Sequence, residues 1–302
     1  MPSLAIARQW LKDLGAVRTR RSLYLRVRDY QGYIPLHFET EDFLVTTAQN
    51  GRELLKALEL RHQVFIQEWQ GRRHPTGLDV DEYDFMADHL LIIDKRKQEV
   101  VGTYRMLCSR FTDDFYSSSE FDIEDFLLQP GIKLELGRAC IHADYRDGNT
   151  IDLLWKGLAR YIEKSQARFL FGCASIKSSD AAIISSFVRT IVHRGDWSDQ
   201  YKVRPRPEYI LPDYQTEGVQ PLGTYKEFLS PLLRSYFHAG AKIFGAPALD
   251  CEFDCVDLFT ILDMTQLNSR FRARFFTPET AGFVDLRTSQ QLHLLVESEV
   301  GI

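Results

Sequence analysis

A glutamate and a short glycine-containing turn lie close together in the middle of the sequence. Residues 134–141 alternate in polarity, which predicts a strand with Glu135 on one face. The turn at 146–149 (Arg-Asp-Gly-Asn) follows, and Thr150 precedes apolar residues spaced three and four apart, so an amphipathic helix with Thr150 as its N-cap is predicted. Because helix N-termini bind anions through free backbone N–H groups, the turn fits a phosphate or a pyrophosphate.

Glu135 is the residue of this stretch best suited to acid–base chemistry. A carboxylate on a strand beside an anion-binding turn can act as a general base, or it can form an ion pair with Arg138 or another neighbour. The turn is also typical of an ordinary connection between a strand and a helix. These residues alone leave both interpretations open.

A second candidate group is the acidic segment at 79–84, which holds four carboxylates within six positions. Like charges this close are costly unless cations compensate them. Arginines of the protein, a metal ion or a substrate that carries an ammonium group would each do so. The segment therefore predicts either a structural ion network or a binding site for a cationic amino acid.

Composition narrows the functional class. The chain has 302 residues, of which 44% are hydrophobic, enough for a sizeable core, and its formal net charge of -5 gives no reason to expect a nucleic-acid partner. Its five cysteines are an odd number and lie in part within apolar runs, which predicts reduced thiols and a cytoplasmic location. Cys251 and Cys255 have no second pair of ligands at a suitable spacing, so no metal site is expected.

The N-terminal 40 residues form a basic segment. Leu4, Ala7, Trp10, Leu11 and Leu14 fall on one helical face. Such a helix either packs on its own core or lies at a membrane surface, and the second alternative would give peripheral contact with the inner membrane.

Hydrophobic periodicity predicts the elements that must position these residues. The predicted order is strand, helix, hairpin, strand, crossover helix and parallel strand, followed by a further helix, a proline-rich linker, a helix and a strand. This element order resembles that of the Gcn5-related N-acyltransferase fold, which is a mixed α/β sheet flanked by helices. The organisation that this resemblance implies is a basic segment at 1–40, an acyltransferase domain at 41–264 with an insertion at about 177–228, and a C-terminal tail at 265–302.

Several motifs resemble, in order, those of one superfamily, which contains the acyl-homoserine lactone synthases and the ornithine lipid-forming N-acyltransferases, often labelled hemolysin-like. The blocks are 61–65 (RHQVF), 81–84 (DEYD), 89–91 (HLL), 100–107 (VVGTYRML) and 134–138 (LELGR). Further blocks are more similar to the lipid-forming branch. They are 138–142 (RACIH), 145–148 (YRDG), 153–155 (LLW), 171–175 (FGCAS), 231–233 (PLL), 240–242 (GAK) and 257–258 (DL).

The resemblance implies transfer of a fatty acyl group, usually 3-hydroxyacyl, from acyl carrier protein to the α-amine of an amino acid, typically ornithine. It implies Glu135 as general base with Arg138 beside it. The implied substrate-binding residues are Arg61, Phe65, Asp81, Asp84 and Arg105. The implied phosphate-binding residues are Arg146, Gly148, Asn149 and Thr150. Thr150 replaces the glycine or alanine of the usual acyltransferase turn, which favours the single phosphate of carrier-bound phosphopantetheine over coenzyme A, and no separate cofactor is expected.

Three alternatives stay open at this point. The acceptor can be glycine, glutamine or lysine, or the chain can act like an acyl-homoserine lactone synthase. His142 and Asp147 show the His-x4-Asp spacing of glycerolipid O-acyltransferases, and so do His89 and Asp94. A non-enzymatic acyl-binding or membrane-binding protein is the third alternative.

Overall fold

A computed structural model of the chain describes residues 23, 25–72, 76–223 and 225–276. The predictions for the N-terminal helix and for most of the basic segment lie outside these residues. The strands are β1 (His37–Glu39), β2 (Phe43–Thr47), β3 (Asp88–Asp94), β4 (Glu99–Cys108), β5 (Phe121–Asp122), β6 (Ile132–Ile141), β7 (Ala167–Ile176), β8 (Trp197–Ser198), β9 (Arg204–Pro205), β10 (Lys242–Phe244), β11 (Ala248–Asp250) and β12 (Cys255–Asp263).

The α-helices are α1 (Gly51–Arg61), α2 (Ser117–Glu120), α3 (Glu124–Leu127), α4 (Asn149–Ser165), α5 (Ala181–Arg194), α6 (Pro231–Ala239) and α7 (Ser269–Phe275). A π-helical segment, His62–Trp69, continues α1. Short 3-10 helices lie at Glu82–Phe85, Ala143–Tyr145, Pro207–Tyr209, Lys226–Phe228 and Met264–Gln266. No helix of the described ranges is long and apolar enough to span a bilayer.

The chain forms two compact units. The first contains residues up to 105 together with 138–150, and the second contains 106–137 and everything from 151 onward. Strands β4 and β6 and helix α4 each contribute residues to both units.

The first unit is built on strands in the order β1-β2-β3-β4, in which β2 is antiparallel to both β1 and β3. Helix α1 begins at the N-cap Asn50, whose side chain accepts hydrogen bonds from the backbone N–H groups of Arg52 and Glu53. Leu54 and Leu58 of α1 are fully buried and pack into one core with Leu91 of β3. This packing fixes the end of α1, where Arg61 lies.

The second unit carries strands in the order β6-β7-β12-β10-β8, with β11 also pairing with β12. Strands β6 and β7 are parallel and are connected through α4, and β7 is antiparallel to β12. A buried cluster joins α5 to this sheet through Phe187, Ile191 and Leu258. The predicted crossover helix and parallel strand are therefore confirmed, as is the mixed α/β class.

Some predicted boundaries were wrong. Thr150 is not an N-cap, since α4 already begins at Asn149 and the Thr150 hydroxyl donates to the Tyr145 carbonyl inside the turn. The apolar pattern after the proline-rich linker predicts one helix over 231–244, but α6 ends at Ala239 with Gly240 as its C-cap at φ +106, and Lys242–Phe244 form β10. The residues from 265 include α7, which the sequence left unassigned.

Candidate active site

Arg61 is the centre of an ion network in the first unit. Its side chain is fully buried, with Nε 2.7 Å from Asp79 Oδ2 and both terminal nitrogens bonded to the Asp84 carboxylate. The segment Glu82–Phe85 holds Asp84 in place through a capping box, in which Asp84 accepts from the Asp81 N–H and Asp81 from the Tyr83 N–H. The local turn thus aims the acidic side chains at Arg61.

Two further arginines complete the network. Arg105 of β4 lies 2.6 Å from Asp81 and 3.3 Å from Asp84, and Arg138 of β6 lies 3.5 Å from Asp81. Four of the predicted substrate-binding residues and Arg138 are therefore brought together, along with Asp79, which sequence reasoning did not single out. Asp79 was visible as part of the acidic segment, but nothing in the sequence paired it with Arg61.

The aspartates and arginines of this network compensate one another's charges, and this determines which groups are ionised. Burial pushes the pKa of Asp84 upward, but attraction to Arg61 and Arg105 outweighs it and holds the pKa well below its usual value. The pKa of Asp79 also lies below its usual value, because attraction to Arg61 and Arg138 outweighs the effect of its burial. Burial lowers the pKa of His89 to about 4, so this neighbour is neutral.

The residues of the ion network differ in how much of their side chains is exposed to solvent. The side chains of Arg61 and Asp84 are 0% exposed and that of Arg105 is 2% exposed, whereas Asp81 is 24% and Arg138 16% exposed. The first three residues are therefore placed to order the segment. Asp81 and Arg138 have the largest side-chain surface that a ligand can reach. Phe65 lies half-buried in the π-helical segment after Arg61.

The backbone of β6 is irregular at Arg138, which has φ +53. Non-glycine residues rarely adopt this conformation, and in strands it accompanies bulges that redirect neighbouring groups. The regular pairing of β6 with β7 ends three residues earlier, at Glu135 and Phe171. The polarity pattern of the sequence contains no sign of this departure from regular strand geometry.

The predicted phosphate-binding turn is exposed and already has internal partners. Arg146 donates to Glu68 at 2.6 Å and to the Ile141 carbonyl at 3.0 Å. The Asp147 carboxylate accepts from the Asn149 backbone and side chain at 3.0 and 3.1 Å. Gly148 has φ +92. An anion would have to replace Asp147 at the Asn149 N–H, and Thr150 is buried behind the turn.

In the second unit, Glu135 is buried and its carboxylate accepts hydrogen bonds from Tyr116 and Ser117. The backbone N–H of Tyr116 donates at 2.7 Å, the backbone N–H of Ser117 at 2.6 Å and the Ser117 hydroxyl at 2.5 Å. The Cys173 thiol on β7 in turn lies 3.4 Å from the Ser117 hydroxyl. Both oxygens of Glu135 are thus occupied, and Ser117 connects it to Cys173.

Residues 173 and 175 share one face of β7 because side chains alternate along a strand. Cys173 is half-buried, whereas Ser175 is exposed. Ser175 stands opposite Asp257 of β12, and its hydroxyl donates to that carboxylate at 2.6 Å.

Three buried carboxylates gather beside this face, namely Glu120 at the end of α2, Asp250 of β11 and Asp257. Ligand atoms of Glu120, Cys173 and Asp257 lie within 4.8 Å of one another, and so do those of Asp250, Cys255 and Asp257. These are the described residues best placed to hold a cation. Sequence reasoning missed them, although Asp257 was detectable as a charge inside the apolar run 255–262.

The protonation states in this group differ from those of the arginine network. Burial and the neighbouring Asp257 charge raise the pKa of Glu120 to about 9. Burial also raises the pKa of the Cys173 and Cys255 thiols, with Glu120 and Asp257 reinforcing the effect at Cys173. Glu120 therefore keeps its proton at neutral pH, whereas Asp84 is ionised.

The sequence is similar to one family profile and to known enzymes. Residues 60–156 match the profile of the Acetyltransferase (GNAT) domain family. An L-ornithine N(alpha)-acyltransferase of Brucella abortus is 30% identical over 246 residues, which cover 75% of this chain and 86% of the relative. The enzyme of the same name from Agrobacterium fabrum is 30% identical over 244 residues, covering 74% and 82%.

Among solved structures, a CoA-dependent acyl-homoserine lactone synthase bound to SAM and isopentyl-CoA is 16% identical, with a TM-score of 0.42 over 75% of this chain and 83% of its own. A likeness this low adds nothing to the assignment. The sequence relatives decide it, because the similarity to them extends over most of both chains. On that ground, the chain belongs to the L-ornithine Nα-acyltransferase family.

Proposed function

We propose that this chain transfers a 3-hydroxyacyl group from the phosphopantetheine thioester of acyl carrier protein to the α-amine of L-ornithine. The observation that carries the proposal is the 30% identity to L-ornithine N(alpha)-acyltransferases over three-quarters of the chain. The products are an amide-linked lyso-aminolipid and the free carrier thiol. No metal or redox cofactor takes part in the proposed reaction.

The reaction needs a deprotonated amine. The amine nitrogen forms a bond to the thioester carbon, the carbon–sulfur bond breaks, and the proton lost from nitrogen balances the one that the thiolate gains. Glu135 is the proposed acceptor of that proton. Because the Ser117 hydroxyl donates to Glu135, Ser117 can take a proton from the amine while it passes its own to the carboxylate.

Residues of the first unit have separate proposed roles. Arg138 and Asp81 are the network members that we expect to contact substrate, with Arg138 suited to an anionic group. Arg61, Asp84 and Arg105 position them. The turn that holds Arg146 and Gly148 is the proposed phosphate-binding element, provided that the anion displaces the Asp147 carboxylate.

The test measures thiol release from purified 3-hydroxyacyl carrier protein with each amino acid in turn. We expect release that depends on ornithine and an amide-linked product by mass spectrometry. Glu135→Gln and Ser117→Ala should lower kcat by about 100-fold, within the range of general base contributions. Ser118→Ala is the matched control, because the hydroxyl of its neighbour Ser117 is the one bonded to Glu135.

Each outcome decides between named alternatives. Release with glycine, glutamine or lysine in place of ornithine would correct the acceptor only. Acylation of a lysophospholipid without an amide product would establish an O-acyltransferase. Donor binding without thiol release in the presence of any amine would establish a binding protein.

A further inference from the structure

The exposed face of helix α4 carries a row of positive charges. Lys156, Arg160 and Lys164 are all exposed and follow one another at intervals of four residues, which places them on one side of the helix. Leu158 and Ile162, on the other side, are buried in the core. Like charges at this spacing weaken a helix, so the row does not serve the stability of α4. An acidic partner bound to this face would compensate the repulsion.

Helix α7 adds two more cations to this face. Arg274 of α7 and Lys156 of α4 both contact the Asp152 carboxylate, at 2.8 and 2.7 Å, so the two side chains lie close together. Arg270 lies one helical turn before Arg274 and is also exposed. Five exposed cations of the second unit therefore form one basic surface: Lys156, Arg160, Lys164, Arg270 and Arg274.

The charge of the basic surface differs in sign from that of the chain as a whole. Residues 151–165 and 264–276 together hold six lysines and arginines and two carboxylates, although the whole chain has a formal net charge of -5. Residues 106–137 of the same unit hold seven carboxylates and two basic side chains. Charge is therefore segregated along the second unit. A surface of one sign attracts partners of the opposite sign and accelerates their association.

Helix α4 also begins in the proposed phosphate-binding turn, at Asn149. At a rise of 1.5 Å per residue, Lys156 lies about 10 Å and Lys164 about 22 Å along the helix from that residue. In a carrier-bound thioester the phosphate is attached directly to a serine of the carrier protein. A phosphate held at the start of α4 would therefore bring the carrier protein against the exposed face of the same helix.

We propose that the basic surface docks the acyl carrier protein, a small acidic protein, that delivers the acyl group. This inference rests on the proposed function and deepens it, because it names the surface that receives the donor. An anionic membrane is the competing partner. Helices that bind membranes insert exposed apolar side chains, but no large hydrophobic side chain of α4 or α7 is exposed in the described ranges. Phe271 and Phe275 of α7 pack against Trp155 instead.

The test compares two donors, 3-hydroxyacyl carrier protein and the same acyl group on N-acetylcysteamine, which has neither the phosphate nor the carrier. In the double variant Arg160→Glu, Lys164→Glu, we expect KM for the carrier-bound donor to rise about 10-fold, because electrostatic attraction is replaced by repulsion. The kinetic constants with the small thioester should not change. The matched control, Lys202→Glu with Arg204→Glu, reverses two exposed charges of the same unit outside both helices and should behave as the wild type.

Binding measurements separate this proposal from the proposed function. Titration with the carrier protein should give a Kd that weakens between about 50 and 300 mM salt and that is about 10-fold weaker in the double variant. That result would support the docking surface even if no amine gives thiol release.

Arg270→Glu on α7 provides a second variant if the double variant does not fold. Equal losses with both donors, or equal carrier affinity in wild type and variant, would overturn the inference. So would loss of binding to phosphatidylglycerol vesicles with unchanged carrier affinity, since the surface would then bind a membrane.

Discussion

Replacing Glu120 by glutamine should remove a pH dependence from the stability of the protein. The folded chain holds the Glu120 pKa at about 9, against an ordinary value of 4.5. Below pH 4.5 both folded and unfolded chains carry the proton, so stability is unaffected. Between pH 4.5 and 9 only the folded chain keeps it, unfolding releases a proton, and stability therefore falls as pH rises.

The magnitude follows from proton linkage. One proton released on unfolding costs about 1.4 kcal/mol of stability per pH unit. From pH 5 to pH 8 the wild type should lose roughly 3–4 kcal/mol relative to Glu120→Gln, which cannot ionise. This is a large share of the roughly 5–15 kcal/mol that typically stabilises a domain. The free energy difference between the two proteins should therefore be easy to resolve.

Urea unfolding at pH 5, 6, 7 and 8, followed by circular dichroism, measures this difference without ornithine present. Titrating groups that do not contact Glu120 contribute equally to both proteins and cancel. Glu124→Gln is the matched control and should run parallel to the wild type, since Glu124 is exposed. If Glu120→Gln also runs parallel to the wild type, Glu120 is not held neutral and the reasoning about its environment is refuted.

Three further predictions concern the first unit. Asp84→Asn leaves Arg61 and Arg105 poorly compensated in the core, so it should cost roughly 3–5 kcal/mol in urea unfolding; a cost near zero would contradict the ion network. The pKa of Asp79 is lowered in the folded chain, so Asp79 contributes stability above pH 3.8 that is lost as the pH falls below this value. Asp79→Asn should therefore weaken the decrease in unfolding free energy between pH 4 and lower pH, measured by urea unfolding. An unchanged decrease would count against the ion pair between Asp79 and Arg61. At Gly148 an added Cβ meets no atom within 4 Å, so Gly148→Ala should cost about 1 kcal/mol through φ +92 alone and raise the donor KM in a steady-state assay; an unchanged KM would remove the turn from the donor site.

The sequence was informative where structure is local. The period-two alternation of residues 134–141 predicted β6, and the apolar stripe after Gly51 predicted α1, because side-chain direction along a strand or helix is set by the backbone itself. The motifs around Arg61, Asp81 and Glu135 were sufficient for a family assignment that the comparison with known relatives then confirmed. These features depend on residues that are near neighbours in the chain.

Tertiary structure alone decided which charges compensate one another. Whether Asp84 faces Arg61 or solvent depends on how a capped turn packs against α1, and the alternation pattern says nothing about the φ of +53 at Arg138. The group of Glu120, Asp250 and Asp257 brings together residues more than 100 positions apart, through the register of β7, β11 and β12. A sequence pattern records the polarity of each residue. Burial and strand register determine which polar groups come into contact, and these contacts form the candidate active site.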